Sequence, residues 1–220
     1  MKDWKDLHEK IMVSYLILLN KQTDQFILKG DTALSRCYGL DRFSKDIDLD
    51  GRKQDIKEIT RRFCERFGFT MRVAKDTQTV KRCFIEYSKE CKPLKIEVSY
   101  RVQNIDEEDL RFINEIKVYS IEALTRMKIN AYNARDKIRD LYDLGFICEH
   151  YFDALSHGTK KSLQDSLSYK GIEQFDYLVA TQADPLIDKD KLAESFLKMH
   201  DKLGLLRERP GEKGPHSLER

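Results

Sequence analysis

Hydrophobic and polar residues follow two different periods in the first half of the chain, which indicates both helices and strands. Apolar residues recur at helical spacing over residues 7–20 and 55–67, so an amphipathic helix is expected in each segment. Short apolar or alternating runs predict strands at residues 26–28, 46–50, 70–73, 81–87 and 94–100. Together these elements predict a sheet with flanking helices.

The second half of the chain has mainly the helical period. This period begins after Asn104 and covers residues 120–135 and 137–150, and no convincing strand follows these two segments. Asp184-Pro185 predicts a break before a last helix at residues 189–203. We therefore expect the α+β (α/β) class. The expected units are an α/β domain at 1–105, a helical domain at 106–206 and a mobile tail at 207–220.

Composition limits the possible classes of protein. The 220 residues are 40% hydrophobic and 35% charged, which is typical of a soluble globular chain. The formal charge of +2 excludes a global attraction to nucleic acid, so any polyanion site must be local. Five cysteines without CxxC spacing indicate neither a disulfide framework nor a zinc site. With no apolar run near the ~20 residues of a membrane span, we expect a cytoplasmic protein without membrane contact.

An acidic strand is the first candidate for chemistry. Asp46 and Asp48 alternate with Ile47 and Leu49, so both carboxylates share one strand face, where they can converge on magnesium or manganese. Glu97, on the polar face of another predicted strand, is the natural third carboxylate. Alone, the Asp-x-Asp pattern fits a solvated strand face or a turn equally well, and Glu97 fits a solvent-facing residue.

A glycine turn precedes this strand. Gly30 lies between a predicted strand and a predicted helix, where backbone N–H groups can bind phosphate oxygens. Lys29 adds a positive charge and Thr32 adds a hydroxyl. A lone glycine turn is weak support for a phosphate site, and its position ahead of Asp46 and Asp48 strengthens it.

Positively charged residues in the helical half form a further candidate phosphate-binding site. Lys128, Arg135 and Arg139 would lie along one helix stripe if the helix continues through Asp136, and such a stripe can clamp phosphates. Asp140 and nearby acidic residues can hold these cations or share in catalysis. The alternative is an ordinary charged helix face.

Three ordered motifs carry a resemblance to a known family. They are KGDTAL at residues 29–34, RFSKDIDL at residues 42–49 and the stretch from Lys128 to Asp143. Together they resemble the AbiEii-type nucleotidyltransferases, which are toxins of bacterial abortive-infection and toxin–antitoxin systems in the polymerase-beta-like superfamily. The resemblance covers most of the chain and implies a polymerase-beta-like domain followed by a helical domain.

The resemblance also implies roles for particular residues. Asp46 and Asp48 would bind the catalytic metal, and Lys128 would contact the nucleotide. The nucleotide phosphates would lie against Gly30, Thr32 and Ser44. Asp140 would complete the site, which leaves Asp140 and Glu97 as alternative third acids.

Asp31 departs from the family pattern, in which the turn usually reads Gly-Gly or Gly-Ser. Asp31 belongs to the expected nucleotide-binding set together with Lys29 and Arg135. A carboxylate beside a phosphate pocket repels a triphosphate unless it faces away or joins a cation. Whether Asp31 opposes nucleotide binding therefore depends on its orientation and on the cations near it.

The leading hypothesis is a Mg-dependent nucleotidyltransferase that moves a nucleoside monophosphate from a nucleoside triphosphate to a hydroxyl acceptor. The resemblance implies RNA, in particular tRNA, as the acceptor, and a cognate antitoxin as a partner. The alternative is a nucleotide-binding or partner-binding pseudoenzyme of the same fold. A third hypothesis, a purely helical interaction module, would require the first half to lack a sheet.

Overall fold

The computed structural model describes residues 4–102 and 104–206. Its strands are β1 (Phe26–Lys29), β2 (Asp46–Gly51), β3 (Thr70–Asp76), β4 (Val80–Glu86), β5 (Leu94–Ser99), β6 (Leu110–Ile113) and β7 (Ile116–Tyr119). Its helices are α1 (Trp4–Gln22), α2 (Gly30–Cys37), α3 (Ile56–Phe67), α4 (Ile121–Ala134), α5 (Ile138–Tyr151), α6 (His157–Thr181) and α7 (Lys189–Lys202). The α+β class predicted from the sequence is confirmed.

The seven strands form one mixed sheet in the order β3-β4-β5-β2-β1-β7-β6. The β2 strand is central because it pairs antiparallel with β1 and parallel with β5. Its Ile47 and Leu49 are buried in the core, while Asp46 and Asp48 on the opposite face are only partly covered. The alternation in the sequence therefore places the two carboxylates on the face that carries the candidate site.

Strands β6 and β7 lie where no strand was predicted, ahead of the two helical segments of the second half. Both strands join the sheet, and β7 pairs in parallel with β1. Each has only four residues, and the turn between them uses Asn114 and Glu115 at positive φ in place of glycine. Such a hairpin lacks the usual glycine turn signal. The sheet thus extends past residue 105, and the division into two domains stays a prediction.

The helical half packs directly against the sheet. Helix α4 contacts α2 and β7, and α5 contacts α4 and α7. The buried apolar residues of both halves form one continuous core. In the first half of the chain, Tyr15 of α1 packs edge-on against Phe63 of α3 and hydrogen-bonds to Thr60. The sheet and the helices are therefore held in a fixed relation.

The expected cation stripe is interrupted. Helix α4 ends at Ala134, Arg135 has extended backbone angles, and α5 begins only at Ile138. Gln182 stabilises this break, because its side chain accepts from the Ile138 N–H and donates to the Asp136 carbonyl. The condition for one stripe, a helix continuous through Asp136, is not met. Lys128 and the two arginines consequently lie on different elements.

In the part of the chain that the structure describes, no helix is both long and apolar enough to cross a membrane. The predicted tail at 207–220 lies outside the described residues.

Candidate active site

The glycine turn lies directly against the acidic strand. Lys29 pairs with Asp48 across β1 and β2, and Gly30 begins α2 with φ +72°. A side chain at Gly30 would be strained in this left-handed conformation, and its Cβ would lie 3.5 Å from Asp48 Oδ2. No side chain of the described residues caps the N-terminus of α2. The start of this helix at Gly30 thus lies close to the Asp48 carboxylate.

Three carboxylates lie on the two adjacent parallel strands β2 and β5, and we call Asp46, Asp48 and Glu97 the strand carboxylates. Asp48 is opposite Glu97, and Asp46 is opposite Lys95. Neighbouring strands are about 4.8 Å apart, so these side chains are close neighbours. The Lys95 ammonium lies 3.0 Å from Asp46 Oδ2 and 4.0 Å from Asp48 Oδ1.

Negative charge accumulates at Asp48. Burial raises the pKa of the Asp48 carboxyl, and the nearby carboxylates of Asp46, Glu97 and Asp31 raise it further. The Lys95 ammonium lowers this pKa but does not offset the other effects. A cation bound here would relieve the unfavourable charge on Asp48.

The strand carboxylates have the oxygen donors that magnesium and manganese prefer. Within residues 4–102 and 104–206, however, no group of three or more His, Cys, Asp or Glu side chains is arranged to hold a metal ion. Two of these carboxylates are engaged in ion pairs, Asp46 with Lys95 and Glu97 with Arg82 at 2.5 Å. The Lys95 ammonium lies between Asp46 and Asp48, and the negative charge left at Asp48 suits a divalent ion.

A second group of charged side chains lies beneath the helices. We call it the buried ion cluster; its members are Asp31, Arg42, Lys128, Asp140 and Asp143. The Lys128 ammonium binds the carboxylates of Asp31 and Asp143 and lies 3.6 Å from Asp140 Oδ1. Burial alone would lower the pKa of Lys128, but Asp143 and Asp31 outweigh burial and raise it. Lys128 is therefore charged.

Arg42 completes this cluster. Its guanidinium donates to both oxygens of Asp143 at 2.7 Å and pairs with Asp31 Oδ2 at 2.7 Å. Arg42 Nη1 is buried and has no hydrogen-bond partner among the described residues. Asp140 is only 1% exposed and accepts two hydrogen bonds from Arg135, at 2.7 and 3.0 Å. The cluster ties α2 and the loop after it to α4 and α5.

Asp31, the departure from the family pattern, joins two cations. Burial opposes ionisation of the Asp31 carboxyl, but the charges of Lys128 and Arg42 outweigh burial and hold its pKa well below the ordinary value. Asp31 is thus an ionised carboxylate neutralised by its partners. This satisfies the condition under which a carboxylate can lie beside a phosphate pocket.

Two predicted phosphate ligands lie behind the site. Thr32 and Ser44 are buried, and their hydroxyls hydrogen-bond to each other at 2.6 Å. The Thr32 hydroxyl also donates to the carbonyl of Asp46. Neither residue lines the cavities described below. In this arrangement they position the start of β2, and their contact with nucleotide stays a prediction.

Two adjoining cavities open at the site. The first, about 380 Å³, has apolar residues of α4 on one wall and polar residues of the turn, β2 and β5 on the other. Its polar wall includes Lys29, Gly30, Asp48, Glu97 and Ser99. The second cavity, about 700 Å³, is lined mainly by polar residues between α4 and α5 and after α6. Asp31, Asp48 and Arg135 line both cavities.

The structure therefore brings most of the predicted residues together. Asp48, Glu97, Lys128 and Arg135 meet at the first cavity. Asp46 lines neither cavity and is linked to Asp48 through Lys95, which lies near both carboxylates. Lys29 also lines this cavity, but its ammonium binds the buried Asp50 at 2.5 Å. Asp140 lines only the second cavity.

Sequence reasoning missed several contributors to the site. Arg42 begins the motif RFSKDIDL but had no predicted role, although it is a central member of the buried ion cluster. The apolar wall of Leu124, Met127 and Ala131 was also missed. Their spacing of three and four residues was the available signal, because it places them on one helix face.

A mixed sheet that presents paired carboxylates beside a glycine-initiated helix is the fold of nucleotidyltransferases. Residues 13–210 match the family described as "Nucleotidyl transferase AbiEii toxin, Type IV TA system", so the chain belongs to this family. The predicted family is confirmed.

Two solved structures are similar over nearly the whole chain. JHP933 from Helicobacter pylori is 29% identical with a TM-score of 0.76, and the match covers 93% of this chain and 95% of that one. A putative nucleotidyltransferase from H. pylori is 29% identical with a TM-score of 0.74, covering 95% and 100%. No curated protein matches.

Proposed function

We propose that the protein transfers a nucleoside monophosphate from a nucleoside triphosphate to a hydroxyl of RNA, with tRNA as the favoured acceptor. One observation carries this proposal: Asp48 and Glu97 are paired on parallel strands, directly beside the Gly30 turn. Carboxylates and a helix N-terminus together suit a metal-bound triphosphate.

The strand carboxylates would hold the divalent ion, magnesium or manganese. Such an ion neutralises the triphosphate and activates the attacking hydroxyl. For all three carboxylates to act, Lys95 must release Asp46 and Arg82 must release Glu97, and the long flexible side chains of both cations permit this. Glu97 is favoured over Asp140 as the third acid because Asp140 is buried and already accepts two hydrogen bonds from Arg135.

The cationic side of the site would bind the phosphates. The N-terminus of α2 at Gly30 offers N–H groups, and Lys128 and Arg135 line the same cavity. Lys128 is held by Asp31 and Asp143, so its ammonium is fixed before a nucleotide arrives. Fixed cations stabilise developing charge at little reorganisation cost.

Transfer is tested with purified protein, each labelled nucleoside triphosphate, magnesium and total RNA. We expect the wild type to label RNA and the Asp46→Ala/Asp48→Ala double variant to label none while keeping its fold. Glu86→Ala is the matched control, because Glu86 is an exposed strand carboxylate of the same sheet outside both cavities. Full labelling by the folded double variant would disprove the assignment.

The same assay separates an enzyme from a pseudoenzyme. A pseudoenzyme is considered because Asp31 already forms ion pairs with Lys128 and Arg42, which are then less available to bind phosphate. Calorimetry with each triphosphate and magnesium measures binding independently of transfer. Binding without any labelling of RNA would favour the pseudoenzyme.

Membership of a toxin–antitoxin family supports a cellular role as a cytoplasmic toxin with a cognate antitoxin. If transfer causes toxicity, growth arrest on induction requires Asp48. Arrest is measured with wild-type and Asp48→Ala proteins at equal expression. Equal arrest by both would rule out nucleotidyl transfer as its cause.

A further inference from the structure

The two adjoining cavities differ in chemistry, and this difference assigns the two substrates. We infer that the nucleoside of the donor triphosphate binds in the first cavity and that the polynucleotide acceptor enters through the second. This inference rests on the proposed transfer reaction and adds the direction from which each substrate reaches it.

The first cavity suits a nucleobase and its sugar. Leu124, Met127 and Ala131 form an apolar wall along one face of α4, and Ser99 of β5 adds a hydroxyl on the opposite side. A base has apolar faces and a polar edge, so it binds best in a cavity with both kinds of lining. The volume of about 380 Å³ also lies in the range of small-molecule sites.

The second cavity lacks such a wall and suits a phosphate-bearing chain. Lys137, Arg139, Thr181 and Gln182 contribute polar groups to it, and its volume is about 700 Å³. Three of the four carboxylates that line this cavity, those of Asp31, Asp140 and Asp184, are paired with cations, whereas exposed Lys137 has no ion pair within the described residues. A free ammonium at an open polar cavity favours contact with phosphate oxygens.

The shared wall is where the substrates would meet. Asp48 and Arg135 line both cavities, and Asp48 lies against the Gly30 turn. There the acceptor hydroxyl oxygen forms a bond to the α-phosphorus, and the bond from this phosphorus to the bridging oxygen breaks. Pyrophosphate leaves with the bonding electrons, and the hydroxyl proton is released to water. A donor and an acceptor that reach Asp48 from two different cavities would be able to meet in line.

The assignment of the two substrates can be tested by replacing one alanine in each cavity with phenylalanine. Ala131 lines only the first cavity and Ala183 lines only the second. We expect Ala131→Phe to weaken binding of nucleoside triphosphate with magnesium by at least about tenfold in calorimetry. We expect Ala183→Phe to leave this binding within about twofold, while the concentration of bulk tRNA that gives half-maximal labelling rises by at least about tenfold.

Asn130→Phe is the matched control, because Asn130 is exposed on α4 and lines neither cavity. It should leave both quantities unchanged. The inference is overturned if Ala183→Phe weakens nucleotide binding while Ala131→Phe does not, or if both variants weaken it equally.

Cross-linking of the wild type gives a readout that does not depend on the folding of variants. An azido-base nucleoside triphosphate, activated by light, should label the peptide of α4, Ile121–Ala134. Label confined to residues 181–184 would overturn the inference while the transfer reaction stands. A wild type that binds no triphosphate would refute the proposed function, and the inference with it.

Discussion

The strand carboxylates and the buried ion cluster are made of the same kinds of side chain but differ in charge balance. The buried ion cluster sets three carboxylates against Arg42, Lys128 and the neighbouring Arg135. The strand carboxylates are also three, but within residues 4–102 and 104–206 their only ion-pair partners are Lys95 and Arg82. One group is neutral and the other has an excess negative charge.

This difference in charge balance suggests different roles for the two groups, one in stabilising the site and the other in the reaction. Buried charges are tolerated when each has a close partner, and removing one partner leaves a costly unpaired charge. Partly exposed carboxylates with excess charge cost little to remove, and they attract cations. The buried ion cluster should therefore hold the site in place and fix Lys128 against the cavity, while the strand carboxylates bind the cation that acts on the substrate.

Asp143→Ala tests the supporting role and should have the largest effect. Asp143 is fully buried and pairs with Arg42 and Lys128, so its removal leaves these two buried cations to share the single carboxylate of Asp31. We expect the free energy of unfolding to fall by about 3–5 kcal/mol. Urea denaturation measures this change. A loss below about 1 kcal/mol would show that the cluster is not needed for stability.

Asp48→Ala tests the chemical role. We expect RNA labelling to fall at least about a hundredfold, which corresponds to about 3 kcal/mol of barrier. The free energy of unfolding should change by less than about 1 kcal/mol, because the side chain is partly exposed and lacks a close partner. If stability fell as much as in Asp143→Ala, the two groups would not differ in role.

The first half of the fold was predictable because its patterns are local. The alternation at residues 46–50 and the apolar residues of β1 fix which faces are buried. The β6–β7 hairpin was missed because its turn residues, Asn114 and Glu115, are not glycines. The end of α4 at Ala134 was placed one residue late, since neither glycine nor proline marks it.

The site was predictable only where its residues are close in sequence. Gly30, Asp46 and Asp48 were found from motifs and order along the chain. The pair of Arg42 and Asp143 joins residues 101 positions apart, and nothing in either local sequence indicates the other. Tertiary packing alone decides this pair. The catalytic and binding roles of all these residues stay predictions.

Gly30→Ala tests the backbone conformation of the turn that lies between the strand carboxylates and the buried ion cluster. The φ of +72° is unfavourable for alanine, so we expect a loss of about 1–2 kcal/mol in the free energy of unfolding. The added Cβ itself has room, since Asp48 Oδ2 would be 3.5 Å away.

Gly158→Ala is the control for Gly30→Ala, because Gly158 is in α6 and is not among the glycines with positive φ. It should be neutral or stabilise the protein by up to about 1 kcal/mol. Equal losses in the two variants would show that the conformation of Gly30 is not special.

The smallest expected effect is the pH dependence of stability contributed by Asp48. Its pKa in the folded protein is raised above the ordinary 3.8 by burial and neighbouring carboxylates, so folding opposes its ionisation. Below the ordinary pKa the carboxyl is neutral in both states, and wild type and Asp48→Asn should be similarly stable. As pH rises through the raised pKa, wild type should lose stability relative to Asp48→Asn.

Urea denaturation of both proteins across this pH range, with Glu86→Gln as an exposed control, measures the difference. Magnesium added at about pH 7 should then stabilise wild type and not Asp48→Asn, because only the ionised carboxylate gains from the cation. If wild type instead gained stability relative to Asp48→Asn as pH rises without metal, Asp48 would already be neutralised. The strand carboxylates would then resemble the buried ion cluster, and the contrast between the two groups would fail.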